Sequence, residues 1–284
     1  MSPEDAASGP RPGRPLTEAA PAGTLSGCAP AIGTLPYRVQ LAGGWIDQPF
    51  VSRHNPKPPG SMVVVSVEPN LWLMDRAGMA TGTRKVAQRI WGGELPNRPL
   101  PELVRELYRA ENEGQAAPSG SQDMIGLIYP GVSRLDYDAS VEGGVFPAKI
   151  ESTCDAAVAR WLESVLHLVP VNQRPEGYSP LGVKNLDPAW VQRLGESGKD
   201  CYRAIVQRNL AGLATSMNEC MACWEALLPH TVAHPAINID LRAILAYYQA
   251  RYNGAMYSGC GGGYVLVASD EPVPGSFRIS VRLR

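Results

Sequence analysis

The stretch Gly254-Ala255-Met256-Tyr257-Ser258-Gly259-Cys260-Gly261-Gly262-Gly263 runs directly into the apolar segment Tyr264-Val265-Leu266-Val267-Ala268. Five glycines in ten residues leave too few side chains to fill a core. Lacking a Cβ, glycine reaches positive φ at little cost and lets backbone or ligand come close, so the run reads as a sculpted loop feeding a buried strand. A mobile Gly-rich linker is the competing reading, but such linkers carry Ser repeats and have no strand directly behind them. Function is therefore sought in loops.

Working outward from that loop, residues 239–252 read as the helix that delivers the chain to it, and 277–283 as a closing strand. Upstream, 156–168 is amphipathic, and 188–194, 198–213 and 215–228 continue as helices broken at Gly195 and Gly212. The first half has another character. Residues 37–42 alternate apolar with polar and end at Gly43-Gly44 and Asp47, a strand running into a tight turn. Residues 62–67 make a second strand, 71–74 a third, and 134–138 and 145–150 two β-rich segments. The segment 101–113 is a helix with Pro in its first turn and Leu103, Leu107 and Ala110 on one stripe. Strands gather early and helices crowd the second half without βα alternation, so the class is α+β.

The 284 residues suffice for one large domain or two modest ones. A formal charge of −1 with scattered Lys and Arg argues against a dedicated nucleic-acid or membrane surface. No apolar run approaches the ~18 residues of a membrane span, and the N-terminus has no signal-type apolar core; a cytoplasmic protein is expected. Residues 1–31, rich in Pro, Ala, Gly and Ser, cannot offset their ordering entropy and are expected to be a disordered tail. The six cysteines are expected to be reduced. Cys220 and Cys223 with His230 and His234 invite a zinc reading, but the interval to the first His is short and the segment reads as helix.

A second loop, Asp75-Arg76-Ala77-Gly78-Met79-Ala80-Thr81-Gly82-Thr83-Arg84-Lys85, passes into Val86, Ala87, Ile90 and Trp91 at helical spacing. Small residues opening a helix aim free N–H groups and the positive dipole end at one point, which favours a phosphate. Thr81 and Thr83 add hydroxyls and Lys85 a charge. A helix start with Thr as N-cap accounts for the same residues equally well. Asp123, ahead of an apolar run, reads either as an N-cap or as a catalytic carboxylate.

Taken together, three loops resemble the signature motifs of the GHMP superfamily of small-molecule kinases. Pro36-Tyr37-Arg38-Val39-Gln40-Leu41-Ala42-Gly43-Gly44-Trp45-Ile46-Asp47-Gln48-Pro49 is similar to the sugar-site motif of the branch containing heptose 7-phosphate kinase, fucokinase and galactokinase. Residues 78–83 sit where the family has its Gly-Leu-Gly-Ser-Ser-Ser phosphate loop, and 254–263 resembles Gly-Ala-x-x-Ser-Gly-Ala-Gly-Gly-Gly. Ala110-Glu111-Asn112 resembles the helix whose Glu binds magnesium, and Gly120-Ser121-Gln122-Asp123 the segment whose Asp faces the attacking hydroxyl.

The resemblance implies a two-lobed fold, with an ATP- and sugar-binding lobe at 35–152, a helix-rich lobe with a small antiparallel sheet at 153–284, and the site between them. It implies ATP and Mg²⁺ as cofactors and in-line transfer to a hydroxyl, the anomeric one foremost, of a sugar or sugar phosphate. Gly78, Met79, Ala80, Thr81, Gly82, Thr83 and Lys85 would hold the nucleotide, with Thr81 or Thr83 and Glu111 placing the metal. Asp123 would take the hydroxyl proton while Arg38 keeps it ionised. Gly43, Gly44, Trp45, Asp47 and Gly259 would bind the substrate, and Lys85, Arg84 and Arg174 could hold a second phosphate. The chain departs from the family pattern at Gly82, where the family has a magnesium-binding serine. That departure motivates the alternative of a GHMP-fold ligand sensor or partner-binding protein without transfer.

Overall fold

In the computed structural model, which describes residues 34–115 and 118–284, two antiparallel sheets are joined by helices. The expected N-terminal tail lies outside the described residues. In chain order the elements are β1 (Tyr37–Gln40), α1 (Pro49–Ser52), β2 (Gly60–Val67), α2 (Thr81–Trp91), α3 (Leu100–Asn112), α4 (Gln122–Ile128), β3 (Val132–Tyr137) and β4 (Lys149–Thr153). Then follow α5 (Ala156–Val165), β5 (Leu166–Asn172), α6 (Pro188–Val206), α7 (Leu210–Leu227), α8 (Leu241–Arg251), β6 (Gly254–Gly259) and β7 (Gly262–Ala268). The first sheet has the order β1-β2-β3-β4 and the second β5-β7-β6. The α+β class therefore holds.

Strand β2 is buried along its whole length, as its run Met62-Val63-Val64-Val65 requires of a strand covered on both faces. It pairs Arg38 with Ser66 on one side and Val63 with Arg134 on the other. Helix α4 packs on β1 and β2, and α6 packs on β2. Helix α7 lies along α6 and carries the packing on to β6. Where α7 meets β6, a Cβ on Gly254 would stand 2.6 Å from the Ala214 Cα, so these backbones touch.

Several boundaries differ from the sequence reading, each for a packing reason. Residues 254–259 are not a loop but strand β6, and the glycine run is a β-hairpin whose turn is only Cys260-Gly261. The breaks expected at Gly195 and Gly212 do not occur: α6 and α7 run through them, and the chain turns instead at 207–209, with Arg208 at φ 54°. Gly195 and Gly198 are there because α6 lies against the backbone of β2; a Cβ at Gly195 would be 2.7 Å from the Gly60 Cα. The helix expected over 156–168 stops at Val165 and the chain passes at once into β5, which pairs Leu166 with Ala268. Residues 71–74 form no strand, and the β-segment expected at 145–150 starts only at Lys149, past Pro147. The closing strand is reduced to two isolated bridges, Val67 to Val281 and Leu168 to Phe277, which stitch the C-terminal segment to both sheets.

Candidate active site

Residues 77–83, the segment expected to hold phosphates, fold onto the glycine hairpin. Gly78, at φ 76°, brings its backbone so close to β6 that a Cβ would stand 2.6 Å from the Ser258 carbonyl and 2.7 Å from the Gly259 nitrogen. The Ser258 hydroxyl donates to the Ala77 carbonyl at 2.6 Å and accepts from the Tyr264 N–H at 3.0 Å. The Tyr264 hydroxyl accepts from the Met74 N–H at 2.7 Å. Ala80 then enters α2 in the left-handed region, φ 55°, with no side chain capping the helix. The first-turn N–H groups of Thr81, Gly82 and Thr83, which have no partner within the helix, thus open on a cavity of about 380 Å³. Neither Thr acts as the N-cap that sequence alone left open. The Thr81 hydroxyl accepts from the Arg76 N–H at 3.3 Å and braces the loop.

A second cavity of about 610 Å³ adjoins the first. Arg38, Gly78, Asp123, Arg174 and Pro180 line both. At this junction Arg38, buried on β1, pairs with the Asp123 carboxylate on α4 and donates to the Gly78 carbonyl at 3.2 Å. Burial pushes the Arg38 guanidinium down to about 10; the Asp47 carboxylate pulls it up, Arg174 down and Glu111 up. It remains charged at neutral pH. Asp123 sits in the first turn of α4 rather than at its N-cap, which is Ser121.

Thr83 and not Thr81 meets the acidic side of the first cavity. Its hydroxyl is 3.5 Å from Asp123 Oδ2, and Glu111 lines the same cavity. Glu111, on α3, has its pKa raised, chiefly by burial, and its Oε2 is buried without a partner. One hydroxyl and two carboxylates, one of them with an orphaned oxygen, beside uncapped helix N–H groups suit Mg²⁺, which takes one or two carboxylates and fills its shell with phosphate oxygens and water. No cluster of three or more His, Cys, Asp or Glu side chains able to hold a metal occurs among the described residues.

The second cavity is floored by Asp47 and walled by Trp45, Phe50 and Trp224. Asp47 is buried, with Gln48 donating to its Oδ2 at 3.2 Å and its Oδ1 unpartnered. Burial raises its carboxyl to about 6 against the lowering effects of that bond and of Arg38. Gly43 and Gly44 line neither cavity. Gly43 donates to Cys220 Sγ at 3.3 Å and the Gly44 carbonyl accepts from Trp224 Nε1 at 3.0 Å. These contacts hold the turn that puts Trp45, at φ 82°, and Asp47 into the cavity. Gly259 also lines it.

The remaining basic candidates separate. Lys85 is at the rim of the first cavity, paired with Asp75 at 2.6 Å. Arg84 faces inward: its Nε donates to the Leu35 carbonyl at 3.0 Å and its guanidinium lies 4.4 Å from the Tyr37 ring centre, so it does not reach a substrate phosphate. Arg174 faces both cavities, with Nε buried and unpartnered. It belongs to a segment, 173–187, that supplies Arg174, Tyr178, Pro180, Leu181 and Lys184 to the cavity walls and carries no recognisable motif. Anchors hold it: Arg76 donates to the Pro175 carbonyl at 2.6 Å, Tyr178 to the His230 carbonyl at 2.9 Å. Apart from Arg174, sequence reasoning missed these residues, as it missed Phe50, because no periodicity or spacing marks them.

No family model matches the sequence, and no curated protein matches it significantly. Solved structures do match in fold. The mevalonate kinase of Methanococcus jannaschii superposes with a TM-score of 0.54 at 12% identity, over 83% of this chain and 89% of its own. A D-glycero-D-manno-heptose 1-phosphate kinase from Bacteriodes thetaiotaomicron gives 0.52 at 11%, over 88% and 96%. The Lactococcus lactis galactokinase, solved with galactose, gives 0.53 at 13%, over 84% and 85%. At such identities the likeness is one of fold, shared by small-molecule kinases with different acceptors. The chain has the GHMP-kinase fold.

Proposed function

We propose that this chain is an ATP-dependent kinase that transfers a phosphoryl group to a hydroxyl of a sugar or sugar phosphate, the anomeric hydroxyl foremost, in a site between lobes 35–152 and 153–284. The observation that carries the reading is the pairing of buried Arg38 with part-exposed Asp123 at the junction of two cavities, one opening on uncapped helix N–H groups and the other on a buried carboxylate and aromatic walls. A triphosphate fits the first side and a polyol the second.

In this reading the N–H groups of residues 81–83 hold the phosphates. Thr83 and Glu111 would hold Mg²⁺, which would supply charge neutralisation for the phosphates. Asp47 accepts from acceptor hydroxyls and Trp45 covers the ring face. The attacking hydroxyl passes its proton to Asp123 as its oxygen bonds to the γ-phosphorus; the bridging bond to the β-phosphate breaks and its electron pair leaves with ADP. Arg38 fixes the Asp123 carboxylate and lies beside the charge of the group in flight. Thr83 between Glu111 and Asp123 supplies the hydroxyl that Gly82 lacks, which favours transfer over the sensor reading.

The test pairs calorimetric titration of ATP·Mg²⁺ with ADP release over a panel of sugars and sugar phosphates. The Asp123→Asn variant is expected to bind nucleotide and acceptor while losing about 10³-fold in kcat. Absence of nucleotide binding at millimolar concentration, or full turnover in that variant, refutes the proposal.

A further inference from the structure

The acceptor-side cavity is lined by four cationic side chains against two carboxylates. The chemistry proposed above uses Arg38, Asp47 and Asp123, which leaves Arg53, Arg174 and Lys184. None of these three has a carboxylate within ion-pair distance among the described residues. Each is nevertheless held in place. Lys184 Nζ lies 4.6 Å from the Phe50 ring centre, and Arg53 Nε donates to the Pro49 carbonyl at 2.9 Å, so both are anchored on α1. Arg174 comes from the opposite end of the same segment as Lys184, its Nε buried and without a partner. Arg53 and Lys184 line the acceptor cavity alone and not the cavity at the helix N-terminus, so the nucleotide does not account for them.

A neutral sugar has no use for three unpaired cations; its hydroxyls are served by Asp47 and the aromatic walls. A dianion meets them all. Unpaired cations facing one cavity also repel each other, as Arg174 already does Arg38, and a bound anion removes that cost.

We propose that the acceptor is itself phosphorylated, its phosphate ester held away from the attacked hydroxyl by Lys184 and Arg53, with Arg174 bridging to the transfer centre. This rests on the kinase reading and names its substrate class. A carboxylate would use the same cations, but three of them match two negative charges and several acceptor oxygens better than one.

The experiment fills the nucleotide side first. The full chain is titrated with the non-hydrolysable analogue AMP-PNP and Mg²⁺, and then, at saturation, with inorganic phosphate, followed in parallel by acetate. Phosphate is expected to bind the loaded protein and acetate to bind more weakly. The double variant Arg53→Gln/Lys184→Gln, checked for an unchanged melting temperature, is expected to raise the phosphate Kd by about tenfold or more. Turnover with glucose 6-phosphate, mannose 6-phosphate and galactose 6-phosphate is then compared with the free sugars and with glucuronate, a phosphorylated acceptor being expected to prevail. If AMP-PNP binds but phosphate does not, or binds equally well in the double variant, the inference falls and the kinase reading stands. Preference for acetate and glucuronate overturns the phosphate assignment, and preference for a free sugar overturns the anionic acceptor. Failure of AMP-PNP itself to bind removes the kinase reading and this inference with it.

Discussion

Replacing Asp47 by Asn should make the protein more stable and a worse enzyme. Its carboxyl is carried from an ordinary 3.8 to about 6, because burial outweighs the stabilising bond from Gln48 and the charge of Arg38. Below pH 3.8 folded and unfolded chains both hold the proton and the group contributes nothing. Between 3.8 and about 6 the folded chain binds more protons than the unfolded one, so stability falls as pH rises. Above about 6 both are ionised and the full penalty persists, about 3 kcal/mol for a displacement of this size.

Asn keeps the shape and still accepts from Gln48, but carries no charge. The variant's advantage should be small near pH 4 and reach about 3 kcal/mol at pH 8, a rise of about 5–10 °C in melting temperature for a chain of this length. Urea or thermal melts of both proteins at pH 4, 6 and 8 measure it. In the parent, KM for the acceptor should rise as pH drops through about 6, because the protonated carboxyl loses the charge-assisted bonds that hold hydroxyls. In Asp47→Asn that loss is permanent and costs about 10- to 100-fold in kcat/KM. If the variant is less stable at pH 8, or its advantage does not grow with pH, the buried-charge reasoning is refuted.

Other perturbations probe separate contacts. Arg174→Ala should lower kcat by about 10²-fold, since the guanidinium faces both cavities at the transfer point; steady-state ADP release measures it, and a change confined to KM refutes that placement. A Cβ at Gly82 would meet nothing within 4 Å, so Gly82→Ser should fold with stability unchanged to within about 0.5 kcal/mol. It should also lower the Mg²⁺ concentration for half-maximal turnover; a raised requirement counts against Mg²⁺ beside Thr83. Gly195→Ala, which in an exposed helix would stabilise by about 0.5–1 kcal/mol, should instead cost about 1–3 kcal/mol because its Cβ meets the backbone of β2. A chemical melt decides the sign.

What the sequence disclosed follows from how much of each feature is local. The turn at 43–47 and the loop at 78–83 were legible because Gly43 and Gly78 stand for a positive φ that other residues adopt only under strain. Arg38 and Asp123 were legible only through resemblance, since nothing in their own neighbourhoods implies that β1 and α4 bring them into contact. Gly195 misled, because a glycine that breaks a helix and one that lets a helix lie on a strand are the same letter; the difference sits in β2, more than 100 residues upstream of α6, while Gly212 sits in the first turn of α7 close to Ala204 and Asn209. Residues 145–150 misled in a simpler way, Pro147 delaying the strand that Lys149 begins. Segment 173–187 was opaque because its position is set by distant anchors, His230 for Tyr178 and Arg76 for Pro175.

The hairpin's glycines also take on a different meaning in the folded chain. Read alone, they suggest a sculpted loop that lets backbone or ligand come close. In place, Gly259 and Gly263 lie against the backbone of 77–78, and a Cβ on either would run into the phosphate loop or Arg174. Ser258 pins the loop from below through the Ala77 carbonyl. The hairpin is thus a rigid bed that holds the phosphate loop in shape. Five non-glycine residues among those described have positive φ, and three of them, Trp45, Arg76 and Ala80, line the two cavities, so backbone strain is concentrated where this bed supports it. A loop strained into one conformation and braced from beneath keeps its N–H groups aimed in the absence of any ligand, and in the kinase proposed above that readiness is what phosphoryl transfer by positioning would require.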